Sequence, residues 1–172
     1  FENNETAECD HLVVSDGVFS KTKSLISNSE KKLKYNDTLA IRGSLSKIPN
    51  YISDKNISLF LGSNFHQVIY PTSPHEDLNF IAIMKYPLSV DEQNNYSLFN
   101  EKSFIKKVLD KAPLTMREVS NNLNDIKVFP VFVSDSFYQI KNDKIHLIGD
   151  AFFASPPSFA QGASQSIEGA YE

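Results

Sequence analysis

The chain is predicted to be an α+β protein: a mostly antiparallel sheet with flanking helices. Three observations predict this. Seven short runs rich in Val, Ile, Phe and Tyr, each bounded by Gly, Pro, Asn or Asp, read as strands at about 11–15, 38–45, 57–62, 65–71, 78–86, 126–133 and 144–149. Four stretches, at about 20–27, 100–111, 114–123 and 161–172, read as helices. At the far end a strand stops at Gly149-Asp150, and a Pro-Pro loop and a helix start follow. That order is how an α/β protein presents a carboxylate and free backbone N–H groups to a cofactor.

The first strand is the apolar run before Asp16-Gly17, and the first helix follows it. The middle strands carry the β-branched and aromatic residues that fit a pleated, half-buried surface. In the second helix Phe104, Ile105, Val108 and Leu109 form an apolar stripe. Asn100 is its expected N-cap, with Glu101, Lys102, Lys106 and Lys107 on the wet face. The third helix starts after Pro113, where Thr115 and Glu118 have capping-box spacing. The last helix follows Ala160-Gln161-Gly162-Ala163. There is no internal repeat and no low-complexity tract.

Composition bounds the function. At 172 residues, with 41% hydrophobic and 22% charged residues, the chain is a globular piece of single-domain size. A net charge of -4 argues against nucleic acid, whose phosphates need a basic face. No apolar run approaches the roughly 20 residues that span a bilayer. The single cysteine, Cys9, cannot form an internal disulfide, so a reducing cytoplasm is the expected location. Cys9 is expected to be a small buried hydrophobe.

Several residues carry candidate chemistry. Asp150 follows a strand and precedes a helix start, so it is a cofactor ligand or a cap. His66 and Tyr70 lie four apart on a strand, so both face one side. A His and a phenol on one face can deprotonate a phenolic substrate and hold its oxygen; the alternative is a surface His beside a core Tyr. Arg42 holds a substrate carboxylate or forms a structural ion pair. His11, His75 and His146 have no partner at metal-ligand spacing and read as structural or exposed, so no metal is expected.

The two end pieces resemble the Asp-Gly and Gly-Asp motifs of the FAD-dependent aromatic hydroxylases, the single-component flavoprotein monooxygenases. The first resembles an apolar strand, Asp16-Gly17, Ser20 and a basic residue, Lys23 where the family usually has Arg. The second matches at Gly149, Asp150, Ala151, Pro157, Ala160, Gln161, Gly162, Glu168 and Ala170. It departs at Phe152-Phe153, where the family has Ala-His, and at Gly169, where it has Asp. The Ala-Gln-Gly-Ala form is similar to the salicylate-hydroxylase-like branch. So are Thr38 to Leu45, like a strand ending Trp-Arg-Gly with Ile41 for Trp, and the His66-x-x-x-Tyr70-Pro71 segment.

The resemblance implies a p-hydroxybenzoate-hydroxylase-like FAD fold. Residues 1–30 and 144–172 would be pieces of its FAD-binding domain, and 31–143 the substrate domain. It implies FAD and NAD(P)H as cofactors. Asp16, Gly17, Gly149, Asp150, Pro157, Gln161, Gly162 and Ala163 would bind cofactor, with Asp150 on the ribityl chain. Backbone N–H groups at Gln161 to Ala163 would stabilise negative charge on the reduced ring. Arg42, His66 and Tyr70 would bind substrate, and His66, Tyr70 and Gln161 would be catalytic. The reaction implied is hydroxylation of a phenol or aromatic acid by molecular oxygen through a flavin hydroperoxide, in a possible homodimer. Alternatives on the same scaffold are a quinone-pathway ring hydroxylase, an epoxidase or a flavin reductase; a non-catalytic domain that has lost FAD is the alternative from another class. No GxGxxG occurs among the six glycines. The chain therefore reads as a segment of a longer protein, inactive and poor at holding FAD by itself.

Overall fold

The computed structural model describes residues 3–26, 33–47, 49–72, 77–136 and 140–171. His75 lies outside them. The chain forms two compact units, one from two segments (Phe1–Lys34 with Phe132–Glu172) and one continuous (Tyr35–Val131). The expected seams lay near residues 30 and 143. The second boundary falls earlier because the segment after Val131 is tied within the split unit: the Ser134 N–H donates to the Ala154 carbonyl at 2.9 Å.

In the split unit, β1 (Leu12–Val14) pairs in parallel with β7 (Ile145–Leu147), in the register Leu12↔Ile145, Val13↔His146, Val14↔Leu147. Helix α1 (Lys21–Ile26) follows β1. Ser20 caps it, accepting from the Lys23 N–H at 2.9 Å. After β7 come short 3-10 turns at Gly149–Ala151 and Pro157–Phe159, then α5 (Gly162–Tyr171).

The continuous unit is a five-stranded sheet in the order β3-β4-β5-β2-β6. Its strands are β2 (Lys34–Leu45), β3 (Ser58–Gly62), β4 (Phe65–Pro71), β5 (Leu78–Lys85) and β6 (Leu123–Val133). Pairs β3–β4, β4–β5 and β2–β5 are antiparallel. One face is the core: Leu39, Ile41, Leu45, Ile69, Phe80, Ala82 and Met84 are buried, and the register stacks Leu39 on Met84 and Ile41 on Ala82. Burying each large side chain of this face contributes about 1.5–3 kcal/mol. Gly43 sits where β6 passes closely. A Cβ there would lie 2.9 Å from the Asn124 carbonyl oxygen.

Three helices complete this unit: α2 (Val90–Asn94), α3 (Lys102–Asp110) and α4 (Leu114–Ser120). In α3, Phe104 and Val108 are buried as the stripe requires. Phe104 meets Phe99 and Tyr86 edge-to-face, with centroids 5.5 and 6.0 Å apart.

Two caps differ from expectation. The N-cap of α3 is Glu101, without a side-chain bond, because Asn100 is taken up in a 3-10 turn, Leu98–Asn100. Pro113 occupies the N-cap of α4, so no capping box forms. Glu118 instead accepts from the Tyr51 hydroxyl at 3.2 Å. Among the described residues a capping box forms instead in α2, a helix too short to show a period in the sequence. Ser89 accepts from the Glu92 N–H, and the Glu92 carboxylate accepts from the Ser89 N–H.

Candidate functional site

The parallel pairing of β1 with β7 aligns the ends of the two motif strands. Both chains leave the ribbon at its C-terminal edge, one through Asp16-Gly17 and the other through Gly149-Asp150. Gly17 turns with φ +82°, which disfavours any other residue. The Asp16 carboxylate accepts from the Thr22 N–H at 3.1 Å. Its pKa is held below the ordinary value, first by the Ser20 hydroxyl. Asp16 is therefore a fixed anion at the start of α1.

Lys23 ties the motifs together. Its side chain is buried, and burial pushes the amine pKa down. The charges of Asp16 and Asp150 act on it in the opposite direction. One buried cation thus lies in the field of both motif carboxylates. In the sequence Lys23 stands out only as a departure from the family pattern. Its position three residues past Ser20 was the available signal.

Gly149 has φ +58°, and a Cβ there would come 3.0 Å from the Ser166 hydroxyl of α5. Its carbonyl accepts from both Phe152 and Phe153 N–H, at 2.9 Å each, which closes the turn that presents Asp150. Ala160 is left-handed (φ 53°) and turns the chain into α5. Asp150, Pro157, Gln161, Gly162 and Ala163 are all exposed. A Cβ on Gly162 would meet nothing within 4 Å, so the start of α5 is open to close approach. The N–H groups of its first turn have no intrahelical partner by construction. Gln161 is positioned from within the helix: its side-chain oxygen lies 3.5 Å from the Gln165 amide nitrogen.

The continuous unit supplies a second surface, the sheet face opposite its core. The register places Tyr70 beside Asn79, Val68 beside Ile81, and His66 beside Ile83; Arg42 also pairs with Ile81. Strand alternation puts all these side chains on the same face. Four residues of strand separate His66 from Tyr70 by about 13 Å, and Arg42 lies two strands from Val68, about 10 Å away. At that distance the His66 and Tyr70 side chains do not bond each other. Val68 and Ile81, half-buried, are the apolar residues of this face between them. Burial lowers the His66 pKa, which keeps the ring neutral and able to accept a proton. Asn79 belongs to this face and was not among the expected site residues.

No family model matches the chain. A curated relative, a flavin-dependent monooxygenase from an unknown prokaryotic organism, is 23% identical over 176 residues, covering 99% of this chain and 44% of its own. Among solved structures, HpxO of Klebsiella pneumoniae complexed with FAD and uric acid superposes with a TM-score of 0.73 at 17% identity, covering 99% of this chain and 44% of its own. A salicylate hydroxylase substrate complex gives 0.73 at 17%, over 98% of this chain and 46% of that one. The 2,6-dihydroxypyridine-3-hydroxylase of Arthrobacter nicotinovorans gives 0.72 at 20%, over 99% and 49%. The fold is that of the FAD-dependent hydroxylases. The chain spans less than half the length of the curated relative it matches.

Within the hydroxylase fold, the pieces expected to act together fall on two surfaces. Asp16, Gly17, Gly149, Asp150, Pro157, Gln161, Gly162 and Ala163 belong to the split unit, and Arg42, His66 and Tyr70 to the continuous one. One expectation is corrected and one gains a detail. Cys9 is exposed and free, because it precedes β1 rather than lying in it. His11 and His146 are exposed but not alone: the β1–β7 register brings their rings together, with Nδ1 of His11 3.2 Å from Nε2 of His146. Among the described residues no group of three or more His, Cys, Asp or Glu could hold a metal ion, and no helix is long and apolar enough to cross a membrane.

Proposed function

We propose that the chain is a segment of an FAD- and NAD(P)H-dependent monooxygenase that hydroxylates the ring of a phenol or aromatic acid. The observation that carries this is one sheet face of the continuous unit, where a histidine, a phenol and a guanidinium stand around the apolar residues Val68 and Ile81. The relatives point the same way: one is a flavin-dependent monooxygenase, and others are complexed with uric acid or act on salicylate, both planar ring compounds.

The split unit fits FAD. Asp150 offers a carboxylate to the hydroxyls of the ribityl chain, and the first turn of α5 offers N–H groups and a dipole to an electron-rich ring. Gly162, with open space at its Cβ position, lets the cofactor approach the backbone. Asp16 and Lys23 fix the first motif beside it. When bound, the flavin would pass electrons from NAD(P)H and activate molecular oxygen. The remaining work falls to side chains of this chain. His66 takes the proton of a phenolic hydroxyl, which raises electron density on the ring. Tyr70 holds the substrate oxygen, and Arg42 receives a carboxylate if the substrate has one.

A second reading, a larger and more apolar quinone precursor, is favoured by Phe152, exposed in the loop after Asp150 where the resembling family has Ala. The test is oxidation of NADH and NADPH by the full-length FAD-loaded protein across aromatic acids, phenols and quinols, with products followed by mass. Oxidation stimulated by one compound, which gains one oxygen atom, is the expected result. Bound FAD with no hydroxylated product from any compound would refute the proposal and favour the reductase alternative. Failure to bind FAD would refute it in favour of a non-catalytic domain.

A further inference from the structure

We propose that His11 and His146 form a two-histidine site for a borderline divalent metal ion, of the class of Zn²⁺, Ni²⁺ or Co²⁺. The pair is built by the parallel ribbon. Val13 lies opposite His146 in register, and His11 is two residues before Val13, so the two imidazoles are diagonal neighbours on one face. Nδ1 of His11 stands 3.2 Å from Nε2 of His146, and the rings stack with centroids 5.4 Å apart at 18°. Both side chains are exposed, so an ion reaches them from solvent carrying its own water.

The spacing suits a shared ion. Imidazole nitrogens bind such metals at about 2.0–2.1 Å, which puts two of them about 2.9 Å apart at a right angle and about 3.4 Å apart at the tetrahedral angle. The observed separation falls between these values. In the metal-free pair, one nitrogen donates to the other. When an ion enters, the shared proton moves to the far nitrogen of its own ring, so both ligands stay neutral and no proton is lost. Imidazole selects late first-row divalent ions over Ca²⁺ and Mg²⁺, which prefer oxygen. Water completes the coordination, since no third protein ligand converges here among the described residues. Asp16 and Asp150 follow the C-terminal ends of the same strands, so the site is separate from the proposed cofactor groups and does not depend on that reading.

The experiment is metal uptake by the full chain, measured after dialysis against ZnCl₂ or NiCl₂ and by the visible absorption of bound Co²⁺. Wild type, His11→Ala, His146→Ala and Cys9→Ser are compared. Uptake of one ion per chain is expected in wild type and in Cys9→Ser, with loss in either histidine variant. Zn²⁺ should raise the Tm of wild type and leave that of the histidine variants unchanged, which also checks that they fold. No uptake by wild type, or uptake undiminished when either histidine is removed, overturns the proposal.

Discussion

His66 carries the sharpest consequence of a single residue's surroundings. Burial on the sheet lowers its pKa below the ordinary 6.5. As the base of the proposed reaction it must be unprotonated, so activity should be present above that lowered pKa and fall as pH drops through it. The acid limb of kcat/KM is therefore expected below pH 6.5, and His66→Gln should abolish the limb and cost roughly 10²–10⁴ in rate. A limb unchanged in the variant would remove His66 from the chemistry.

Gly43 and Gln67 give stability tests. Gly43→Ala pushes a methyl group against the Asn124 carbonyl and the Leu123 side chain. It should destabilise by about 1–3 kcal/mol in urea unfolding. Gln67 is fully buried, and neither its amide nitrogen nor its oxygen has a hydrogen-bond partner among the described residues. Replacement by Met, of similar volume and without those polar atoms, should raise the unfolding free energy by about 1–3 kcal/mol. A lower urea midpoint for Gln67→Met would show that the amide is satisfied in solution.

Residue identity was legible where chemistry is local and illegible where it depends on pairing. Asp16, Gly17, Gly149 and Asp150 stand out as turn residues after strands. That Lys23 lies in the field of both carboxylates, or that His11 meets His146, follows only from the β1–β7 register, which spans most of the chain.

At the scale of elements, all seven strands stand in the expected order, because alternation of β-branched and aromatic residues is a strong signal. Two were read too short. β2 begins at Lys34 rather than near 38, and β6 at Leu123 rather than near 126. Each contains a left-handed aspartate close to its start, Asp37 and Asp125, both at φ 51°. Such a residue breaks the alternation on which the reading relies. Helix α2 was missed for another reason. Its five residues are too few to show a period, and only the Ser89–Glu92 box announces it. Ser89→Ala should therefore cost about 0.5–2 kcal/mol, read from thermal or urea unfolding. No change would mean that tertiary packing alone holds α2.

At the scale of the whole molecule, the units differ in how the chain makes them. The central one is continuous from Tyr35 to Val131 and has its own core, while the other needs both ends of the sequence. Residues 35–131 expressed alone should fold cooperatively, seen as a single sigmoidal unfolding transition by circular dichroism. A non-cooperative melt would show that the sheet depends on the flanking segments. The Asp-Gly and Gly-Asp motifs lie one in each segment of the split unit. They did not locate the boundary at 131/132, because β6 continues in strand across it.

The sheet order β3-β4-β5-β2-β6 has one more implication. The chain enters the continuous unit on β2 and leaves it on β6, and these strands are neighbours. Everything that forms the His66–Tyr70 face, apart from Arg42 and its strand-mates, is therefore carried on an excursion between two fixed, adjacent splice strands. Such an arrangement is a cassette. An exchange of the excursion would change the chemistry of that face while leaving both splice strands in place.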